Sequence, residues 1–210
     1  MMNTTLGDDD LLLVIDVQND FCAGGALAVG DADAVVPVIN RLTERFDHVV
    51  LTQDWHPAGH SSFATSHPGS AAFDTINMPY GHQTLWPDHC VQGTAGAEFH
   101  PQLETKRAEL VVRKGFRPGI DSYSAFYEND RRTPTGLAGY LRDRGFNRIF
   151  LAGLATDYCV YYSALDARRL GFDSVVIDAG CRAINLAGSL DAAWSAMAGL
   201  GVQRVGDLAN

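Results

Sequence analysis

Short runs of consecutive apolar residues alternate along the chain with longer segments whose apolar residues recur every three or four positions. LLLVIDV (11–17) is almost continuously apolar, the pattern of a strand covered on both faces. DADAVVPVINRLTERF (31–46) carries apolar side chains at helical spacing, with Pro37 near its first turns, and predicts a helix leading into a second strand, HVVLTQ (48–53). AELVVRK (108–114) predicts a third strand and TPTGLAGYLRDRG (133–145) the helix after it. RIFLAG (148–153), TDYCVYYSALDARRLG (156–171) and DSVVIDAG (173–180) then read as strand, helix and strand. A last helix over 188–199 and a short strand near 202–205 complete the pattern. Such alternation predicts an α/β fold, a three-layer α/β/α sandwich around a central, mostly parallel sheet of about six strands.

One stretch breaks the rhythm. Residues 55–107 are irregular and rich in His, Gly, Pro and aromatics, and a connection this long inside a domain usually builds a site. The expectation is a single domain over 1–210 with 55–107 as a site-building insertion that holds a small helix and a hairpin.

Composition narrows the class. The chain has 210 residues and a net charge of −9, with a pI near 5.1. No basic run is present to neutralise phosphates, so nucleic acid is disfavoured as a partner, and the pairs Arg131–Arg132 and Arg168–Arg169 read as solvated surface. The start, MMNTTLGDDD, lacks the basic and apolar segments of a secretory signal. No apolar stretch approaches the roughly 20 residues that span a membrane. Four scattered cysteines, at 22, 90, 159 and 181, fit a reduced, cytoplasmic protein better than a disulfide scaffold.

In open parallel sheets ligands bind beyond the carboxyl ends of the strands. Asp16 ends the first predicted strand, Asp54 follows the second, Lys114 ends the third, and Cys159 follows the fourth on the first turn of a helix. Each has an ordinary structural explanation alone; together they make coherent chemistry. A helix start and a nearby ammonium both favour a thiolate. An adjacent carboxylate can take the thiol proton and later return it to a leaving group, which predicts acyl transfer, most simply amide hydrolysis. Asp54 and His56 are two apart, so in an extended segment their side chains point the same way and make a donor pair for Zn or Fe(II). From spacing alone, any of His60, His67, His82, His89 and His100 could complete such a site, and a hydrogen-bonded Asp–His loop without metal is the alternative.

VIDVQNDFCAGGALAV, TQDWHP.GH.SF, LWPDHCVQGTAGAEFHP, VVRKG and AGLATDYCV resemble the isochorismatase-like cysteine hydrolases, and DWHP with WPDHC resembles their metal-containing nicotinamidase/pyrazinamidase branch. The resemblance runs from residue 11 to about 205. It implies a triad of Asp16, Lys114 and Cys159, a cis peptide before Ala155, and an oxyanion hole from the backbone N–H groups of Ala155 and Cys159. It implies Asp54, His56 and His89 as ligands of one divalent metal, Zn or Fe with Mn also allowed, and water and the substrate's ring nitrogen in the remaining positions. His60 is an additional ligand in some relatives, Ser62 matches a position that acts through water, and His67, His82 and His100 receive no ligand role. Phe21, Trp86 and Tyr123 match ring-packing positions, and Leu27 lies in a stretch that closes the pocket. Asp20 reads equally as a brace for its loop. The implied substrates are nicotinamide and pyrazinamide, for a monomer or homo-oligomer. The competing readings are an isochorismatase or N-carbamoyl amidohydrolase, which bound metal would discriminate, and a non-catalytic binding protein, which ammonia release would exclude.

Overall fold

The computed structural model describes residues 5–208. In chain order its elements are β1 (Asp10–Ile15), α1 (Val35–Thr43), β2 (Val49–Asp54), β3 (Thr75–Met78), β4 (Gly81–Thr84), β5 (Leu110–Lys114), α2 (Leu137–Asp143), β6 (Arg148–Leu154), α3 (Tyr161–Arg169), β7 (Asp173–Arg182), α4 (Ser189–Gly199) and β8 (Gln203–Val205). Six strands form one sheet in the order β5-β2-β1-β6-β7-β8, every neighbouring pair parallel, while β3 and β4 make a separate antiparallel hairpin.

The apolar runs are continuous because alternate residues feed two different cores. Leu12, Val14 and Leu51 pack with Val35, Ile39 and Leu42 of α1 on one face. Leu11, Leu13 and Ile15 pack on the other with Leu141 of α2, Ala164 of α3 and Met197 of α4. Each large side chain so buried contributes roughly 1.5–3 kcal/mol, which makes β1 the best-anchored strand and a firm base for Asp16 at its end. The result is the expected three-layer sandwich.

From β1 the chain moves one way to β2 and β5, then returns across β1 to place β6, β7 and β8 on the other side. The order reverses between β1 and β6, so their carboxyl ends border the crevice where such sheets bind ligands.

Several boundaries differ from expectation. The predicted helix at 133–145 is confined to Leu137–Asp143, because Gly136 is left-handed (φ 101°) and Thr135 turns its hydroxyl to the Leu137 N–H at 3.2 Å. The predicted helix at 156–171 starts as a π-helical turn, Thr156–Val160, and becomes α-helical at Tyr161. β1 stops at Ile15, and Asp16 is left-handed at φ 48°. Residues 55–107 contain the expected hairpin, and their helical content is limited to short 3₁₀ turns at Ala64–Ser66 and Ala95–Ala97. Among the described residues, no helix is long and apolar enough to cross a membrane, and all four cysteines are free thiols.

Candidate active site

Asp16, Asp54, Lys114 and Cys159 come from the ends of β1, β2, β5 and β6, and all four are buried. The Lys114 ammonium donates to an Asp54 oxygen, to the Ser122 carbonyl at 2.8 Å and to Cys159 Sγ at 3.4 Å. Those bonds use its three protons. Asp16 Oδ2 lies 2.8 Å from the same nitrogen, a fourth acceptor that shares those protons and their charge. Burial alone would lower the Lys114 pKa; Asp16 and Asp54 overcome it and hold the side chain firmly protonated.

Burial raises the Asp16 pKa to about 6, Lys114 opposing and Asp54 adding to the rise. Burial also pushes the Cys159 thiol well up; Lys114 pulls it down, while Asp16, Asp54 and a hydrogen bond to Asp16 hold it up. Removal from water and two nearby negative charges thus oppose ionisation of the thiol, and one ammonium favours it. A thiol beside a carboxylate is an arrangement in which one proton can pass between the two groups.

Two glycines allow this closeness. A Cβ on Gly153, at φ 129°, would sit 2.0 Å from the Ile15 carbonyl, so only glycine lets β6 approach β1 just before Cys159. Gly115, at φ 68°, gives its place to the His56 ring, which a Cβ would meet at 2.4 Å. The Leu154–Ala155 peptide is cis, as expected, and the Ala155 carbonyl accepts from the N–H groups of Tyr158 and Val160 at 3.1 Å each.

Beside the triad, donor atoms of Asp54, His56 and His89 lie within 4.8 Å of one another. His56 Nε2 is 3.6 Å and His89 Nε2 3.8 Å from Asp54 Oδ2. Each imidazole turns its Nδ1 to a backbone carbonyl at 2.8 Å, Gly115 for His56 and Pro87 for His89, which leaves the Nε2 lone pairs facing inward. His56 Nε2 is buried with no hydrogen-bond partner, the kind of orphan a metal would satisfy. Burial lowers the His89 pKa to about 4, with His56 adding to it, so that imidazole is neutral. Burial would lower His56 as well, but Asp54 and Asp121 raise it, and carboxylates that favour positive charge on Nε2 favour a cation there equally. Asp16, Asp54 and Asp121 against Lys114 leave two formal negative charges in a buried cluster, which a divalent ion neutralises. The donor set fits a divalent metal with coordination positions to spare.

His60 does not join this set in the observed geometry. Its Nε2 faces the carbonyls of Arg117 (2.8 Å) and Ile120 (3.2 Å), and Nδ1 meets the Ser62 hydroxyl at 2.7 Å. Ser62 is thereby engaged with His60. His67 Nε2 is on the Ser61 carbonyl at 2.8 Å. Cys22, Asp33 and His100 form another trio, but His100 Nδ1 accepts the Gln102 N–H (3.2 Å), which places the ring proton on Nε2 and leaves no free imidazole lone pair.

A narrow recess opens onto Cys159, Ala155 and the Asp54–His89 edge. Phe21, Leu27, Trp86 and Tyr123 all line it, as expected. Trp86 meets Tyr158 edge-on at 4.8 Å and donates its indole N–H to the Tyr123 hydroxyl at 3.1 Å. Tyr158, Ile184 and Asp121 also line the recess and were not anticipated. Tyr158 directly precedes Cys159 and could have been suspected from that alone; Ile184 is brought in from beyond β7 and left no local signal. Asp20 is a brace, accepting the Cys90 N–H at 2.7 Å and the Ala26 N–H at 3.2 Å, which ties the Phe21–Leu27 loop to the residue after His89.

Residues 10–209 match the isochorismatase domain family. The chain belongs to the isochorismatase family. Among its relatives, a nicotinamidase of Acinetobacter baylyi is 55% identical over 194 residues, 92% of this chain and 91% of that protein. The structure of an Acinetobacter baumanii nicotinamidase/pyrazinamidase superposes with a TM-score of 0.95 at 53% identity, covering 96% of this chain and 97% of the other. A pyrazinamidase of Pyrococcus horikoshii, solved in complex with zinc, superposes with a TM-score of 0.77 at 33% identity, over 94% and 98% of the two chains. This isochorismatase-family member thus shares both its fold and its length with hydrolases of small heteroaromatic amides.

Proposed function

We propose that this chain is a metal-dependent cysteine amidohydrolase that converts nicotinamide to nicotinate and ammonia, and pyrazinamide to pyrazinoate, in NAD salvage. The observation that carries the reading is that Cys159 of the buried Asp16–Lys114–Cys159 cluster and Asp54 and His89 of the Asp54–His56–His89 donor set line one aromatic recess. Relatives named nicotinamidase over more than nine-tenths of the chain support it.

Trp86, Tyr123 and Phe21 hold a planar ring by area burial and edge-to-face contact, with the carboxamide beside Cys159. As Sγ attacks the carbonyl carbon, its proton passes to Asp16, and the oxygen turns towards the N–H groups of Ala155 and Cys159. Asp16 then gives that proton to departing ammonia, leaving a thioester on Cys159. Water, deprotonated by Asp16, cleaves the S–C bond of the thioester and releases the acid, and the Asp16 proton returns to Sγ. Lys114 keeps the two carboxylates apart in charge and in place throughout. A divalent ion, Zn or Fe with Mn compatible, held by Asp54, His56 and His89 supplies when bound a Lewis-acidic anchor for the ring nitrogen. A reducing cytoplasm suits the free thiols.

The test is ammonia release from nicotinamide, pyrazinamide and benzamide, before and after chelation. Nicotinamide should be hydrolysed, benzamide poorly because it lacks the ring nitrogen, and chelation should lower nicotinamide turnover. Benzamide turned over as fast as nicotinamide by the metal-loaded protein defeats the anchoring role, and no ammonia from either heteroaromatic amide defeats the reading.

A further inference from the structure

Thr52 is fully buried in β2, and its hydroxyl makes two contacts to one residue. It accepts the Asp16 N–H at 3.2 Å and donates to Asp16 Oδ1 at 2.6 Å. The first contact has its origin in the backbone: β1 ends at Ile15 and Asp16 turns left-handed, so its N–H is buried beyond the parallel ladder and needs another acceptor. The second contact commits the hydroxyl proton to Oδ1. Backbone and carboxylate of Asp16 are thus gripped by a single oxygen from the neighbouring strand.

That grip decides which carboxylate oxygen does chemistry. Oδ1 already receives the Thr52 proton. Oδ2 is not held by Thr52; it lies 2.8 Å from Lys114 Nζ, whose ammonium also meets Cys159 Sγ at 3.4 Å. We propose that Thr52 is a positioning residue for hydrolysis, holding the Asp16 carboxylate so that Oδ2 alone takes the Cys159 proton and passes it to the leaving nitrogen. In the forward step the S–H bond breaks, Oδ2–H and S–C bonds form, and the carbonyl π pair moves to oxygen. In the next, the carbonyl re-forms, the C–N bond breaks, and the Oδ2 proton leaves with ammonia. The proposal rests on the reading of Asp16 as base and Cys159 as nucleophile.

Thr52→Val keeps the shape and removes the hydroxyl, and Thr52→Ser keeps the hydroxyl. In the metal-loaded proteins, Thr52→Val is expected to lower kcat for nicotinamide by about 10- to 100-fold, at the lower end of what a proton-transfer group contributes. KM and metal content should stay near wild type, and Thr52→Ser should recover most of the loss. Wild-type kcat in Thr52→Val, or Thr52→Ser as slow as Thr52→Val, overturns the role. A second readout needs no substrate: alkylation of Cys159 by iodoacetamide at one fixed pH, with the modified peptide quantified by mass. Thr52→Val should react several-fold more slowly than wild type and Thr52→Ser close to it; equal rates for Thr52→Val and wild type overturn the proposal even where nicotinamide is not the substrate. Thr52→Ala is measured in the same two assays if Thr52→Val melts too low to handle.

Discussion

Cys159 and Asp16 lie in one buried cluster, and burial works against the ionised form of each. Burial and two carboxylates push the Cys159 thiol up, and burial raises Asp16 to about 6. The base is useful only when ionised, so kcat/KM should fall as pH drops through about 6, where Asp16 gains a proton before the thiol offers one. An acid limb that stays flat to pH 5 in a metal-loaded sample would separate Asp16 from that role. Cys159→Ala should leave the circular dichroism unchanged and reduce turnover by on the order of 10³-fold or more, as expected for the loss of a covalent nucleophile; retained activity would contradict a thioester route. Asp16, Lys114 and Cys159 were readable from the chain because each sits where an apolar run stops. Thr52 and Ser122 were not, since a threonine inside a strand looks like filling for the core, and the Ser122 contribution is a carbonyl. The burial and the two carboxylates that push the Cys159 thiol up were not legible either, because they are properties of the assembled pocket and a chain position reveals neither.

At the scale of elements, β6 lies against β1 with no room for a side chain at Gly153. Gly153→Ala places a Cβ against the Ile15 carbonyl and forces a left-handed alanine. It should cost about 1–3 kcal/mol in urea unfolding and lower kcat as well, because β1 and β6 carry Asp16 and Cys159. A variant with wild-type stability and turnover would show that the strands slide apart without consequence. Strands were the most legible elements, since burial on both faces writes them as continuous apolar runs. Helix starts were less so. Thr135 and the left-handed Gly136 delay α2, and the π-helical turn at Thr156–Val160 arises from how Ala155 leaves the sheet, which depends on neighbours far off in sequence. Residues 55–107 announced their importance through His, Trp and Pro but not their shape, as their conformation is dictated by the donor set and by hydrogen bonds such as Cys90 N–H to Asp20.

For the whole molecule, both core layers pack on one central sheet, and Asp16, Asp54, Lys114 and Cys159 sit at the ends of four of its six strands. We propose on that ground that the chain unfolds as one domain, with 55–107 integral to it. Tryptophan emission, far-ultraviolet dichroism and activity should therefore be lost together in urea, and an earlier separate loss of dichroism would reveal an independent unit. The three tryptophans are placed unequally for such an experiment. Trp55 is covered by the Arg113 guanidinium at 3.9 Å and Trp194 by that of Arg204 at 4.1 Å, whereas Trp86 is buried against Tyr158 on the wall of the recess. An aromatic ring entering the recess stacks near one indole and leaves two in the same surroundings. The protein carries its own optical gauge of occupancy: bound nicotinate should quench a blue-shifted fraction of the emission, and Trp86→Phe should erase that signal while the remaining fluorescence stays indifferent to ligand.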